Sequence, residues 1–419
     1  MRPPAPEITY TPWRPNLWAL GFTAAALLGI LLGALSTFVF DRGPLARYEY
    51  HLWRWQADTL LDTVFERIGI GPDPGDAEGE AALREYFRLT SEIRAASEAE
   101  NPDFALIETL SNERATYEND VERLIERRIH EVVESEGLDQ ALPLFSGIRM
   151  VWPPVNFELT EPPRLLVRSP RNEIRRAGDT LLKPDLTLRD IEEIEAKTDD
   201  EDTVSLVISI GGIAAYPAIV RDDRSYESIL ETAAHEWVHH YLAFFPLGQQ
   251  WGKGGDAETL NETTANIAGR EIAALVHERY PVQLPAGANG SAPPRPAPTV
   301  DFNTEMRKLR LEVDALLADG KVAEAEQLME ERRQFLAENG ITIRKINQAY
   351  FAFYGTYADT PASSDPIGPK VERVWELTRK VGVFLTLMRD VRNTADLDDL
   401  VYRLETGSGW RISDDFQQP

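Results

Sequence analysis

Apolar positions between Tyr226 and Leu242 recur at Ile229, Leu230, Ala233, Ala234, Trp237, Val238, Tyr241 and Leu242. That is a wide helical stripe, free of Gly and Pro until Pro246, with Asp222, Asp223 and Ser225 as N-cap candidates. The spacing predicts a core-packed helix. The turn-rich stretch FPLGQQWGKGGD follows, and a return helix is predicted from Glu258 to Tyr280. Upstream, Asn156–Thr160, Arg164–Arg168 and Val204–Ile210 alternate or cluster branched apolar residues as strands do. Residues 80–137 are dense in Glu and Arg at i,i+4 spacing and predict a solvated helical hairpin. Beyond a Pro/Ala-rich connector at 281–300, residues 301–410 predict helices throughout. They open with an αα-hairpin of two apolar seams, stopped at Asp319-Gly320 and Asn339-Gly340.

The N-terminal pattern differs. After a short polar tail, residues 1–16, the run Leu17–Phe40 is uncharged and almost wholly apolar, long enough for one transmembrane helix. A cleaved signal peptide is the rival, with Ala34-Leu35-Ser36 resembling a cleavage site. Gly29 and Gly33 form a small-residue stripe that suits a homodimer of such helices, although glycine is also ordinary in membrane spans. Residues 44–70, with Tyr48, Tyr50, Trp53 and Trp55, predict a juxtamembrane amphipathic helix, or in their second half a core helix.

Chemistry concentrates in the central helix. Of six histidines, His235, His239 and His240 fall within this one stretch. His235-Glu236-Trp237-Val238-His239 is an H-E-x-x-H motif: residues i and i+4 share a helical face, so both imidazoles can bind one Zn²⁺. Glu236 is then placed as general base toward a water beside the ion. A third ligand is needed, and Glu262 on the return helix is the candidate. Asn266, one turn later, could accept a hydrogen bond from the outer N–H of a ligating ring. Asn347, Tyr350, Tyr354 and Tyr357 share one helical face; Tyr350 and Tyr354 are candidates to stabilise an oxyanion, or pack as core aromatics.

HEWVH followed by NETTAN resembles the gluzincin zinc metallopeptidases, whose pattern is HExxH, a spacer, then N-E-x-x-[SA]-D. Ala265 matches, and Asn266 stands where Asp is usual. From about Ile208 to Val391, including INQAYFAFYGTYADTP, the chain is similar to bacterial predicted aminopeptidases with a membrane-linked N-terminus. The resemblance implies an α+β, predominantly helical fold: a zincin-like catalytic unit with a small sheet (142–280), completed by the helical C-terminal part. It also implies an extracytoplasmic catalytic domain on a single-pass anchor, and a strand before the motif helix that pairs with extended substrate. The Glu by which one aminopeptidase group holds the substrate amine has no counterpart between Gly211 and Val220.

A net charge of −25 leaves nothing to neutralise phosphates, so nucleic acid is excluded as a partner. Without cysteine there is neither a disulfide framework nor thiol catalysis. The flanking charges Asp222, Asp223, Arg224 and Glu227 exclude a membrane location for the motif helix. The expectation is a membrane-anchored zinc peptidase acting on peptide or protein substrates. Its rival is an inactive zinc-binding membrane scaffold that recruits partners through the helical hairpins.

Overall fold

The computed structural model describes residues 43–56, 75–142, 145–251, 256–285 and 299–407. The chain is predominantly helical with small sheets. Leu17–Phe40, with the Gly29/Gly33 stripe, lies outside the described residues, as do 286–298 of the connector. Among the described residues no helix is long and apolar enough to cross a membrane.

Three helices come first: α1 (Asp76–Ser97), α2 (Phe104–Ala115) and α3 (Glu118–Ser135). Then follow β1 (Asp139–Leu142), β2 (Phe145–Val151), β3 (Phe157–Leu159), β4 (Arg164–Pro170), β5 (Gly178–Leu182), α4 (Leu188–Thr198), β6 (Thr203–Ser209), β7 (Gly212–Ile213) and β8 (Ala218–Val220). The motif helix α5 (Tyr226–Leu242) leads through α6 (Pro246–Gln249) to the return helix α7 (Ala257–Arg279). The C-terminal part is α8 (Phe302–Ala318), α9 (Val322–Glu338), α10 (Gln348–Tyr354), α11 (Ile367–Thr378), α12 (Val381–Met388) and α13 (Thr394–Thr406).

The main core forms around α5. Its Ile229, Leu230, Trp237, Val238 and Tyr241 are buried with Leu124, Ile125 and Ile129 of α3, Ile267 and Ile272 of α7, and Phe384 and Leu385 of α12. Residues 80–137 are therefore not the free-standing solvated hairpin that their charge predicts. The 3.6-residue period of α3 carries one apolar stripe under its charged faces, and that stripe is core.

Two of α3's carboxylates are also structural. Glu122 Oε1 accepts from Leu159 N at 2.6 Å and Glu126 Oε1 from Phe157 N at 3.0 Å, covering the outer edge of β3. Burial, then the Glu158 charge, pushes the Glu122 carboxyl well above its usual range, against the pull of the Leu159 N–H. An acid with a raised folded-state pKa costs stability as pH rises above its unfolded value, because the folded chain holds a proton that the unfolded chain releases. Glu122→Gln keeps the carbonyl acceptor and cannot ionise. Thermal unfolding should find it more stable than wild type at pH 8, by on the order of 1 kcal/mol. The two proteins should converge near pH 4. A destabilised variant at pH 8 would show that the carboxylate is ionised there and needed.

Whereas 52–56 are helical and 57–70 lie outside the described residues, residues 43–50 depart from the amphipathic helix expected over 44–70. They open as turns, and Tyr50 N donates to Leu181 O at 2.9 Å while Lys183 N donates to Tyr48 O at 2.8 Å. Tyr48 is buried against Leu166, Leu182 and Ile194 instead of facing a headgroup layer. The free edge of β5 offers backbone partners that a helix would forgo.

The sheet β5-β4-β6 is antiparallel and packs α4 on one face and α10 on the other. The αα-hairpin α8–α9 forms as its seams predict and shares a second core with Phe351 of α10. The remaining sheet has the order β3-β8-β7, with β3 parallel and β7 antiparallel to β8. That order leaves β7 as an edge strand beside α5.

Candidate metal centre

Ser225 starts α5 as expected: its Oγ accepts from Ser228 N at 3.3 Å. One face of the helix then carries His235 and His239. Helix α7 runs antiparallel to it, with Asn261 beside His239 and Gly269 beside His235. A Cβ at Gly269 would lie 2.9 Å from the Cα and N of His235, so only glycine permits this backbone approach. The approach delivers Glu262 to the two imidazoles.

The triad is tight. His235 Nε2 and His239 Nε2 are 3.0 Å apart, and Glu262 Oε2 lies 3.4 Å from the first and 3.5 Å from the second. Tetrahedral ligands held at about 2.1 Å from zinc stand about 3.4 Å from one another. Among the described residues these three form a group close enough to share an ion. The proton arrangement fits as well. Asn261 Oδ1 lies 2.7 Å from His239 Nδ1 and accepts its N–H, so the Nε2 lone pair faces inward. Glu262 Oε2 is buried and has no hydrogen-bond partner. Two imidazole nitrogens and a carboxylate oxygen thus converge in a group that could hold a metal ion.

The electrostatics agree. Burial alone would lower the His239 pKa, yet Glu262 beside it drives it up to about 9. Burial alone would raise Glu262, yet the two imidazoles hold it well below the carboxylate range. Glu236 is buried next to the triad, and that burial raises its pKa against the offsetting pull of both histidines. A Cβ at Gly212 would come within 2.6 Å of Glu236 Oε1 and 2.7 Å of Ile219 O; the absent side chain makes room for the carboxylate. His240 is turned elsewhere: its Nε2–H donates to Ala215 O at 2.5 Å, and burial lowers its pKa to about 4, so the ring is neutral.

Two of the sequence candidates are reassigned. Asn266 does not face an imidazole; its Nδ2 donates to Asp359 Oδ2 at 2.6 Å, and Asn261 holds the ring instead. Asp359, buried beside Asn266, is a carboxylate that the C-terminal part contributes to this side of α7. Tyr350 does not line the cleft but packs on Tyr354 and Phe351. Tyr354 does line it, and the phenol at the triad is Tyr357, whose ring centroid lies 6.2 Å from that of His235. Helix α10 ends at Tyr354, so the four-residue helical face breaks before Tyr357. The loop beyond is laid along α7, where Ala358 N donates to Thr263 Oγ1 at 3.0 Å.

The triad opens into a cleft of about 910 Å³ lined by β7, α5, α7 and α10. Gly211 O accepts from Arg221 N at 3.1 Å. By antiparallel alternation Gly211 and Ile213 then bond to β8, and Gly212 turns its N–H and C=O outward, toward the cleft.

Compared with protein families, with curated proteins and with solved structures, the chain matches none of them. The site's own geometry therefore carries the functional reading.

Proposed function

We propose that the chain is a zinc-dependent peptidase of gluzincin type, anchored by Leu17–Phe40 with its catalytic part outside the cytoplasm. The observation that carries this is the convergence of three ligand atoms, on His235, His239 and Glu262, beside a buried carboxyl and an open strand edge. Zinc held by those residues would polarise a peptide carbonyl and acidify a water.

The chain's own groups supply the rest. The Glu236 carboxylate, made more basic by burial, takes the proton of the attacking water and passes it to the leaving amine. The Tyr357 phenol, kept protonated by burial and by the Glu262 and Glu236 charges, is a donor for the oxygen on which negative charge develops. The outward N–H and C=O of Gly212 pair with an extended peptide by strand addition. The apolar walls, Leu165, Ile210, Ile213 and Phe353, exclude water around it.

The test is metal removal. Full-length protein in detergent should carry one zinc per chain and cleave members of a mixed peptide library. Chelation should abolish cleavage, and added zinc should restore it. Stoichiometric zinc with no hydrolysis would favour the scaffold reading.

A further inference from the structure

The cleft has a direction. Gly212 stands against Thr232 and Glu236, and Ala215 against His240, so β7 and its continuation run the same way as α5. A peptide added antiparallel to β7 runs the opposite way, from the His239 end toward Thr232. Residues downstream of the scissile bond therefore reach the N-terminal half of α5. Helix α7, antiparallel to α5, brings Arg270 to that same end, two turns beyond Glu262 and about 12 Å along the axis.

Arg270 is the cation with donors to spare. Arg176, the other arginine lining the cleft, is engaged by Asp179 and Glu258. Among the described residues Arg270 has only long ion pairs, 3.6 Å to Asp359 and 3.7 Å to Glu271, and its side chain is 49% exposed. Glu231 is the third acid near it. Asp359 Oδ2 already accepts from Asn266, and Arg270 lines the cleft. Helical side chains lean toward the helix N-terminus, here back toward Glu262, so the guanidinium fork falls short of that 12 Å; with extended chain advancing about 3.4 Å per residue, it stands about two to three residues downstream of the bond cut.

Resting on the peptidase reading, we infer that Arg270 is a specificity residue that binds a substrate carboxylate at this downstream position. A free C-terminus there would make the chain a remover of short C-terminal fragments; an Asp or Glu side chain is the other source of the same group.

The experiment compares three peptides on the zinc-loaded full chain: one with a free carboxylate two residues downstream, its C-terminal amide, and the amide with Asp at that place. A charge-assisted fork is expected to favour the free acid over the amide about 10–100-fold, read in KM. In Arg270→Gln that ratio should fall to about 1, and Arg270→Lys should retain part of it. Preference for the Asp peptide over the free acid would assign the pocket to a side chain. Equal cleavage of all three by wild type would overturn the inference and leave the peptidase reading standing. If no peptide is cut, calorimetry with the dipeptide Ala-Phe and Ala-Phe-amide still decides it. Tighter binding of the acid that Arg270→Gln abolishes supports the carboxylate site, and equal binding rejects it.

Discussion

Glu236→Gln should keep the fold and the bound zinc and lose about 10²–10⁴-fold in peptidase turnover. Glu236 is 6% exposed, its carboxyl between the triad and the backbone of Gly212. Gln has the same shape and reach, so neither the β7 contact nor the core around α5 is disturbed. What disappears is the ability to take a proton from water. Glu236 is not one of the three converging ligands, so metal content should not change. The comparison is turnover per bound zinc, wild type against variant, on the same peptides. Equal turnover would reject Glu236 as the base even with zinc in place.

Glu262→Ala should abolish stoichiometric zinc. It removes one of three ligands and leaves His235 and His239 without the charge that orders them. Asn261→Ala removes only the partner of His239 Nδ1 and should weaken zinc about 10–100-fold. Zinc titration read by calorimetry would rank the two. Undiminished zinc in Glu262→Ala would place the third ligand elsewhere. The titration has a predicted pH course. Without metal, His239 keeps a proton up to about pH 9 because of Glu262. Zinc must displace that proton, so affinity should rise with pH until about 9, with proton release on binding. The same raised pKa stabilises the metal-free fold below the ordinary histidine range, an effect lost as pH passes 9.

What the sequence determined by itself is the pair of elements that make the centre. The stripe from Ile229 to Leu242 and the cap at Ser225 set α5, and i,i+4 spacing put His235 and His239 on one face of it. The turn-rich spacer and the Pro-free stretch after it, interrupted only by Gly269, set the return helix that carries Glu262, within a residue of its observed ends. These are local properties, decided by 3.6-residue periodicity and capping.

Tertiary packing decided the rest. Which Asn holds His239 depended on the crossing of α7 over α5, which Gly269 permits and no local pattern encodes. Tyr357 took the place expected of Tyr350 because α10 stops at Tyr354 and its loop is tied to Thr263 and Asn266, residues far upstream in the chain. The charged face of α3 read as solvated because charge dominates its composition; only its neighbours show that the apolar stripe beneath is core. Likewise the opposed directions of α5 and α7 bring Arg270 to one end of the cleft. A residue two turns from a ligand becomes part of the site only when another helix is there to face it.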